Sequence, residues 1–385
     1  MQKKSKVLFV VKDARYFLSH RADLARALRA EKFDVILATD LSVGGDSSQL
    51  KDYVDFCLNL PFLSAKSKPV YTILCAITVI YEILKLRPAC IFTVTYPANV
   101  LGGFISRLLG VPQLVLFAGL GNLLQESGGF KSKMATMILR NSLPKKNLAV
   151  IVQNAAIGEL LTRNKIIESH VPVTLIPGSG LNFSAYYHRR EILTGIPRVA
   201  LVSRLLREKG VIEFMSACKI LRDEGFACNF ELAGDVDGLN PTAMTLDEIT
   251  TLATSCGVQF IGFVSDVPAY LQTVDILCLP SYHEGLPRSL LEGAASGCVL
   301  VATDIAGCRD VVTHEESGLL VEPRSAIDLA DKLRRILENR HYAQSLARAC
   351  TENARNRFSS DVIIPMYCSV IKNIVKASSS EQKDL

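Results

Sequence analysis

The sequence predicts an α/β protein made of two doubly wound domains. Apolar runs typical of buried strands alternate with stretches of helical spacing in both halves of the chain, and a polar segment separates the two series. Continuous apolar strands that alternate with helices indicate parallel sheets covered on both faces. The strand-like runs of the first half are KVLFVV, FDVILAT, ACIFTVT, PQLVLFAG, LAVIVQN and VTLIPG. Those of the second half are RVALVSRL, NFELAG, VQFIGFV, DILCLPS, VLVATD and GLLVEP.

The segment AYYHRREILTGIP, residues 185–197, interrupts the alternation and predicts a linker. We therefore expect a first domain over residues 1–186 and a second over residues 187–365. Residues 366–385 read as a C-terminal helix and tail that could pack back on the first domain. A chain of 385 residues is long enough for two domains of ordinary size. Two such domains in tandem predict a cleft at the carboxyl ends of their strands, where ligands bind.

Composition indicates a globular protein of the cytoplasm. Apolar residues make up 49% and charged residues 21% of the chain. The eleven cysteines are scattered without a C-x-x-C pair, and no signal peptide precedes the first strand-like run, so we expect reduced thiols. The most membrane-like run, residues 70–86, is shorter than a membrane span needs and contains Glu82.

The charge of the chain is unevenly distributed. Residues 1–180 contain 22 Lys and Arg against 12 Asp and Glu, whereas the remainder contains 21 against 26. Several lysines of the first half adjoin apolar segments, namely PFLSAKSKPVY and GGFKSKMATMILR. This pattern predicts peripheral binding to the anionic inner face of the cell membrane, and we expect no nucleic-acid partner. Solvated surface charge without a partner is the alternative.

The stretch SYHEGLPRSLLEG, residues 281–293, predicts an anion site. It follows the strand-like run DILCLPS, and Pro287 suits the first turn of a helix. The N–H groups of residues 286–289 would then face a diphosphate, and Gly285 would allow close backbone approach. In this interpretation Glu284 accepts hydrogen bonds from sugar hydroxyls, and Glu292 accepts them from the paired hydroxyls of a ribose.

The stretch SRLLREKG predicts cations at the same place. Arg204 lies at the end of the first strand of the second half, and Lys209 and Gly210 open the next helix. Two cations and a helix N-terminus would neutralise a diphosphate leaving group, so that no bound metal is needed. We expect both cations to sit at an open cleft, although a surface pair without function remains the alternative. A competing metal motif is DVD, with Asp235 and Asp237.

Together these motifs resemble family 4 of the retaining, nucleotide-sugar-dependent glycosyltransferases, which have the GT-B fold of two Rossmann-like domains facing a cleft. Glu284 and Glu292 match the E-x7-E motif of the family, and the R-x4-K-G motif is also present. The resemblance implies three catalytic residues: Glu284, Arg204 and Lys209. The donor site that it implies consists of Arg204, Lys209, Gly262, Phe263, Val264, Glu284, Gly285, Leu286, Pro287, Arg288, Ser289 and Glu292.

The first half is similar to enzymes that build bacterial lipid-linked oligosaccharides, capsules and O-antigens. The segment FLSHRADLARALRAEKFDVILAT, residues 17–39, carries this resemblance, as do TYPANVLGGFISRLLGVP and GLGNLL. The similarity implies that the acceptor contacts the first domain, and the residues that we expect there are Ser19, His20, Arg21, Gly119 and Gly121.

The implied reaction moves a hexose or N-acetylhexosamine from a UDP-sugar to a saccharide linked to undecaprenyl diphosphate, with retention of configuration. The UDP-sugar is the substrate, and neither a cofactor nor a metal is expected. Three alternatives stay open: a non-catalytic nucleotide-sugar-binding protein, an epimerase on the same fold, and a glucan synthase. A glucan synthase usually carries a K-x-G-G loop after the first strand, where this chain has VKDARYFLSH.

Overall fold

The computed structural model describes residues 4–42, 47–60, 80–118, 129–186, 191–236, 240 and 242–381. The chain divides into two compact units, each with its own parallel sheet. The first unit comprises Met1–Gly180 and Ser360–Leu385, and the second comprises Leu181–Ser359.

The first unit is built on a seven-stranded parallel sheet in the order β3-β2-β1-β4-β5-β6-β7. Its central strands are mostly apolar and buried, because helices cover both faces of the sheet. The strands are β1 (Lys6–Asp13), β2 (Asp34–Asp40), β3 (Phe56–Asn59), β4 (Cys90–Val94), β5 (Gln113–Phe117), β6 (Leu148–Val152) and β7 (Val173–Leu175).

The helices of the first unit mostly follow the strands of its sheet. Asp13 caps α1 and Asn154 caps α6, each by accepting a hydrogen bond from a backbone N–H in the first turn. These helices are α1 (Ala14–His20), α2 (Ala22–Ala30), α3 (Ser47–Leu50), α4 (Tyr96–Leu109), α5 (Phe130–Ser142) and α6 (Ala155–Arg163). Residues 80–86 are also helical.

The second unit has a six-stranded parallel sheet in the order β10-β9-β8-β11-β12-β13. Its strands are β8 (Arg198–Val202), β9 (Asn229–Ala233), β10 (Gln259–Gly262), β11 (Ile276–Leu279), β12 (Val299–Thr303) and β13 (Leu319–Val321). Its helices are α7 (Val211–Asp223), α8 (Leu246–Cys256), α9 (Val267–Leu271), α10 (Arg288–Ser296), α11 (Ala306–Arg309), α12 (Ala326–Glu338) and α13 (Arg340–Phe358). Short 3₁₀ turns lie at Phe183–Ala185 and Arg207–Lys209.

Both sheets have the strand order of doubly wound Rossmann-like domains, which confirms the predicted fold class. Two Rossmann-like units in one chain are the components of the GT-B fold. In each sheet the strand order reverses beside the first strand of the unit, between β1 and β4 and between β8 and β11. Ligands of such sheets bind at the carboxyl ends of the strands next to this reversal.

The boundaries between the two units differ from those predicted from the sequence. The chain passes to the second unit after Gly180 and returns to the first after Ser359. Leu181, Phe183 and Tyr186 lie before the predicted boundary at 186, yet they pack in the core of the second unit. The N–H of Leu181 donates to the carbonyl of Phe358, at the end of α13. The last helix, α14 (Ser360–Glu381), belongs wholly to the first unit. The second unit therefore ends before the predicted boundary at residue 365.

Helix α14 packs on the first unit through apolar residues and one buried hydrogen bond. Ile363, Tyr367 and Ile371 lie in the same core as β1 and β4. The hydroxyl of Tyr367 donates to the carbonyl oxygen of Gly178 at 2.7 Å. The C-terminal helix is therefore part of the first core.

We expect Tyr367→Phe to lower the free energy of unfolding of the first unit by about 1–2 kcal/mol, because the buried carbonyl of Gly178 loses its donor. Chemical denaturation of the full chain measures this change. Tyr81→Phe is the matched control, since the Tyr81 side chain is exposed. Equal midpoints for the two variants would contradict the assigned contribution.

Most of the cysteines lie inside the two cores. Of the ten that the structure describes, eight are buried and none is in a disulfide. Burial raises the pKa of the Cys90 and Cys350 thiols to about 12, so these groups stay protonated. Among the described residues no helix is both long enough and apolar enough to cross a membrane.

Candidate functional site

The candidate site of the second unit is formed by the loops that follow β8 and β11. These strands are direct neighbours, with Ile276 paired to Val199 and Cys278 to Leu201. Their carboxyl ends therefore meet at the reversal of strand order, and the loops at residues 203–210 and 280–287 lie together. This is where a doubly wound sheet binds its ligand.

Hydrogen bonds join the two loops. The carbonyl oxygen of Glu208 accepts from the N–H of Tyr282 at 2.8 Å and from Oγ of Ser281 at 3.1 Å. The Tyr282 hydroxyl donates to Oε1 of Glu213, in the first turn of α7, at 2.6 Å. Burial, followed by the Glu213 carboxylate, raises the pKa of Tyr282 to about 12, so its hydroxyl remains a donor. The loops thus hold each other in one arrangement.

Gly210 permits the closest approach of these loops. Its φ of +72° lies in the left-handed region, and it separates the 3₁₀ turn from α7. A Cβ atom at this position would lie 2.1 Å from the carbonyl oxygen of Pro280, which is backbone and cannot turn aside. The glycine of the R-x4-K-G motif is therefore required by backbone conformation and by packing.

Lys209 and Glu284 form an ion pair across the site. Nζ of Lys209 lies 2.6 Å from Oε1 of Glu284, and the two side chains are only 15% and 13% exposed. Lys209 is therefore mostly shielded from solvent by the loop that carries Glu284. Arg204, at the start of the loop that follows β8, is exposed.

Glu292 also has partners within the second unit. Its Oε1 accepts from Nε of Arg288 at 2.8 Å, one helical turn earlier, and from the hydroxyl of Tyr186 at 3.0 Å. Burial, followed by the Glu292 carboxylate, raises the pKa of Tyr186. Sequence reasoning missed Tyr186, which lies 106 residues from Glu292 and within the predicted linker.

Helix α10 begins one residue later than predicted. Pro287 is its N-cap, with φ of −73° and ψ of 113°, and the first helical residue is Arg288. Gly307, in α11, approaches the preceding loop so closely that its Cβ would lie 2.5 Å from the carbonyl oxygen of Glu284 and 2.6 Å from that of Gly285. Gly307 therefore restricts the path of the loop that carries Glu284. Leu286 and Ser289 lie on either side of the start of α10.

The predicted base-binding segment lies at the end of β10. The carbonyl oxygen of Gly262 accepts a hydrogen bond from the N–H of Gly234 at 2.8 Å, which joins it to the end of β9. The Phe263 side chain is 64% exposed, and Val264 is half-buried. These residues are at the carboxyl edge of the same sheet, and their contact with a base stays a prediction.

The predicted acceptor residues of the first unit fall into three environments. Ser19 is exposed, and its Oγ lies 2.6 Å from Nδ1 of His20, whose ring stacks on Tyr16 with 4.4 Å between centroids. Arg21 is fully buried, with its guanidinium 5.2 Å from the ring centroid of Tyr367. A ligand cannot touch Arg21 in this conformation, so it acts here as a packing residue. Gly119 and Gly121 lie outside the described residues.

The environment of Arg21 is unusual for a buried cation. None of its guanidinium nitrogens makes a hydrogen bond of good geometry within the described part of the chain, although the hydroxyls of Tyr16 and Tyr367 lie beside it. The ring of Phe92 lies on its other side, at 5.9 Å. Aromatic faces therefore take the place of an acidic partner.

The competing metal motif is only partly described. Oδ1 of Asp235 accepts from the N–H of Val236 at 2.8 Å, and Asp237 lies outside the described residues. Within the ranges that the structure describes, no group of three or more His, Cys, Asp or Glu side chains has the arrangement of a metal site.

The fold and the site define a Rossmann-like α/β unit with cations and a helix N-terminus at the reversal of its sheet, an arrangement suited to an anionic ligand. Residues 189–357 match the model of the family "Glycosyl transferases group 1". The second unit therefore carries a group 1 glycosyltransferase domain.

Bacterial relatives resemble most of the chain. The chain is 27% identical over 298 residues to an N,N'-diacetylbacillosaminyl-diphospho-undecaprenol α-1,3-N-acetylgalactosaminyltransferase of Campylobacter jejuni, covering 73% of this chain and 76% of the relative. It is 21% identical to a UDP-Gal:α-D-GlcNAc-diphosphoundecaprenol α-1,3-galactosyltransferase of Escherichia coli, over 89% of both chains.

Solved structures share the fold at lower sequence identity. A sucrose-phosphate synthase of Thermosynechococcus elongatus has a TM-score of 0.80 at 19% identity and covers 97% of this chain and 100% of its own. Anabaena HepE in complex with UDP and glucose has a TM-score of 0.78 at 18% identity and covers 96% and 100%.

Proposed function

We propose that the protein transfers a hexose or N-acetylhexosamine from a UDP-sugar to a saccharide carried on undecaprenyl diphosphate, with retention of the anomeric configuration. The product would enter the synthesis of a bacterial surface polysaccharide. The observation that carries this proposal is the pairing of Lys209 with Glu284 at the reversal of the second sheet. The names of the relatives in Campylobacter jejuni and Escherichia coli support the choice of acceptor.

The proposed donor site uses charge that the chain itself supplies. Lys209, Arg204 and the N-terminus of α10 would surround the diphosphate, whose negative charge grows as the bond to the sugar breaks. The ammonium of Lys209 is already held by Glu284, so little side-chain entropy would be lost when the donor binds. Preorganised charge of this kind stabilises a developing anion better than mobile charge.

The two carboxylates have different proposed roles. Glu284 would accept hydrogen bonds from hydroxyls of the transferred sugar, and Glu292 from the ribose of UDP. The contacts of Glu292 with Arg288 and Tyr186 would hold its carboxylate in the orientation that a ribose requires. Both glutamates would position the donor, and neither would attack it.

The proposed chemistry takes place on one face of the sugar. The bond from C1 to the diphosphate oxygen breaks while the acceptor hydroxyl oxygen approaches C1 from the same side. The hydroxyl proton passes to the departing phosphate oxygen, so that UDP leaves and configuration is retained. No covalent intermediate is needed, which agrees with the proposed positioning role of Glu284.

The acceptor would be bound by the first unit, where Ser19 and His20 follow β1 at the reversal of its sheet. A lipid-linked acceptor lies at the membrane, so we propose that the protein works in the cytoplasm, at the inner face of the cell membrane. Anionic lipid would then be a partner in addition to the two substrates.

The direct test incubates the purified full chain with a panel of UDP-sugars and GDP-sugars, with and without a lipid diphosphate-linked saccharide. We expect UDP release that depends on the acceptor and on one UDP-sugar, and a product whose anomeric configuration equals that of the donor. Binding of a UDP-sugar without turnover would favour a non-catalytic binding protein. Exclusive use of a GDP-sugar, or an inverted product, would overturn the proposal.

We predict that turnover does not require a divalent metal, because Lys209 and Arg204 would supply the positive charge beside the diphosphate. Activity in excess chelator should equal activity in added Mg²⁺. A complete loss that Mg²⁺ restores would contradict this prediction. Asp235→Asn and Asp237→Asn would then show whether the DVD segment is responsible.

A further inference from the structure

Helices α4 and α5 of the first unit lie side by side. The hydroxyl of Tyr96 donates to the carbonyl oxygen of Ala135 at 2.9 Å, and the guanidinium of Arg107 donates to the carbonyl oxygen of Asn141. Gly103 lies so close to the end of α5 that its Cβ would be 2.6 Å from the carbonyl oxygen of Ser142. Contacts along the length of both helices make them a single surface element.

Each helix has an exposed apolar row. On α5 the exposed apolar residues follow helical spacing of four, three and one, so they share one face, and Phe130 is 80% exposed. On α4 the spacing is four, and Leu108 is 66% exposed. The exposed apolar residues are Phe104, Leu108, Phe130, Met134, Met137 and Ile138. We call these six residues the apolar face.

The apolar face is not part of the core. Ala135 and Leu139, on the opposite side of α5, are buried, as is Leu143 at the end of the helix. Leu139 and Leu143 pack in the core that includes residues of β5 and β6. Phe130 and Met137 project away from this buried side, so packing in the core does not account for their apolar character. Neighbouring exposed apolar rows of this kind mark an interaction surface.

The charged residues on α4 and α5 have one sign. Neither α4 nor α5 contains an Asp or Glu. Lys133 and Arg140 are exposed on one flank of the α5 row, and Arg107 is exposed on α4. Two further exposed cations, Lys145 and Lys146, follow α5. Lys and Arg stems lie along apolar surface while their charges reach lipid phosphates, so this arrangement suits an anionic lipid surface.

We propose that α4 and α5 form the membrane-docking surface of the protein, with the apolar face entering the headgroup region of an anionic leaflet and the flanking cations contacting lipid phosphates. This inference rests on the proposed function in one respect: a lipid-linked acceptor is the reason for the protein to bind a membrane. It assigns to docking a surface that is distinct from the residues proposed to bind either substrate.

The experiment is co-sedimentation of the full chain with vesicles, either of phosphatidylcholine alone or of phosphatidylcholine mixed with phosphatidylglycerol. At low salt we expect binding to the anionic vesicles to exceed binding to the neutral ones by at least about tenfold, with most of the difference lost at high salt. Equal binding to both vesicle types at low salt would overturn the proposal.

Two double variants test the two components of the surface. K133E/R140E reverses two flanking charges, and F130S/M137S removes two apolar side chains; each should weaken binding to anionic vesicles by about tenfold or more. The controls carry the same changes on exposed residues elsewhere: R348E/K376E for charge and L246S/I327S for apolarity. Variants that bind like their controls would contradict the assignment.

Two further measurements separate the possible failures. UDP release with a water-soluble acceptor, in the absence of vesicles, should be the same for wild type and for both docking variants. If the wild-type protein shows no turnover, the proposed function is contradicted. If it shows turnover but does not bind vesicles, only the docking proposal is contradicted. Analytical ultracentrifugation provides the last test: self-association that F130S/M137S abolishes, without vesicle binding, would assign the apolar face to a second copy of the chain.

Discussion

Lys209→Ala should lower kcat by about 10²–10³, because one preorganised cation no longer stabilises the departing diphosphate. It should also lower the free energy of unfolding by about 1–2 kcal/mol, since the Glu284 carboxylate, 13% exposed, loses its partner. Arg204→Ala should lower kcat similarly and leave stability nearly unchanged, since Arg204 is exposed. UDP release and chemical denaturation measure the two quantities.

The double variant K209A/E284A separates the two effects of the lysine. Removing the unpaired carboxylate should restore part of the stability lost in Lys209→Ala, whereas turnover should stay low or fall further. Lys219→Ala is the matched control, because Lys219 forms an exposed ion pair with Asp223 in the same unit. Near-wild-type turnover in both Lys209→Ala and Arg204→Ala would remove these residues from the proposed mechanism.

Gly210→Ala should lower the free energy of unfolding by about 3 kcal/mol. The left-handed φ of +72° costs a non-glycine residue about 1 kcal/mol, and the new methyl group must displace the backbone at Pro280. Because Pro280 precedes the loop that carries Glu284, the displacement should also weaken donor binding. Denaturation of the full chain and the KM for the donor measure these two consequences.

Gly225→Ala is the control that isolates the conformational cost. Gly225 has a φ of +91°, in the same unit, and nothing lies within 4 Å of its Cβ position. We expect a loss of only about 1 kcal/mol and an unchanged KM for that variant. If Gly210→Ala is no more harmful than Gly225→Ala, the close contact with Pro280 makes no contribution of its own.

The regular elements were predictable because their signals are local. Each of the twelve apolar runs, from KVLFVV to GLLVEP, corresponds to a strand of one of the two sheets. The strand that sequence reasoning missed, β3, is a four-residue edge strand whose side chains are half-buried or exposed. Such a strand lacks the continuous apolar pattern of a central one, because fewer of its side chains face a core.

Domain boundaries were less predictable because core membership is decided in space. Phe183 stands just before the polar segment and Tyr186 near its start, so both were assigned to the first domain, yet both pack in the second core. The polarity of a segment does not assign the apolar side chains beside it to a core. Which core receives a flanking apolar side chain depends on the return of the chain at Phe358, which no local pattern records.

The site was partly predictable for a similar reason. The sequence by itself determined two doubly wound sheets, the loops after the first and fourth strands of the second sheet, and the residue types that a diphosphate requires there. Only the tertiary structure decided that Lys209 is held by Glu284, 75 residues away, that Tyr186 reaches Glu292, and that Arg21 is buried between aromatic rings. Spacing along a chain reports the period of one helix or strand, whereas these contacts depend on how separate elements pack.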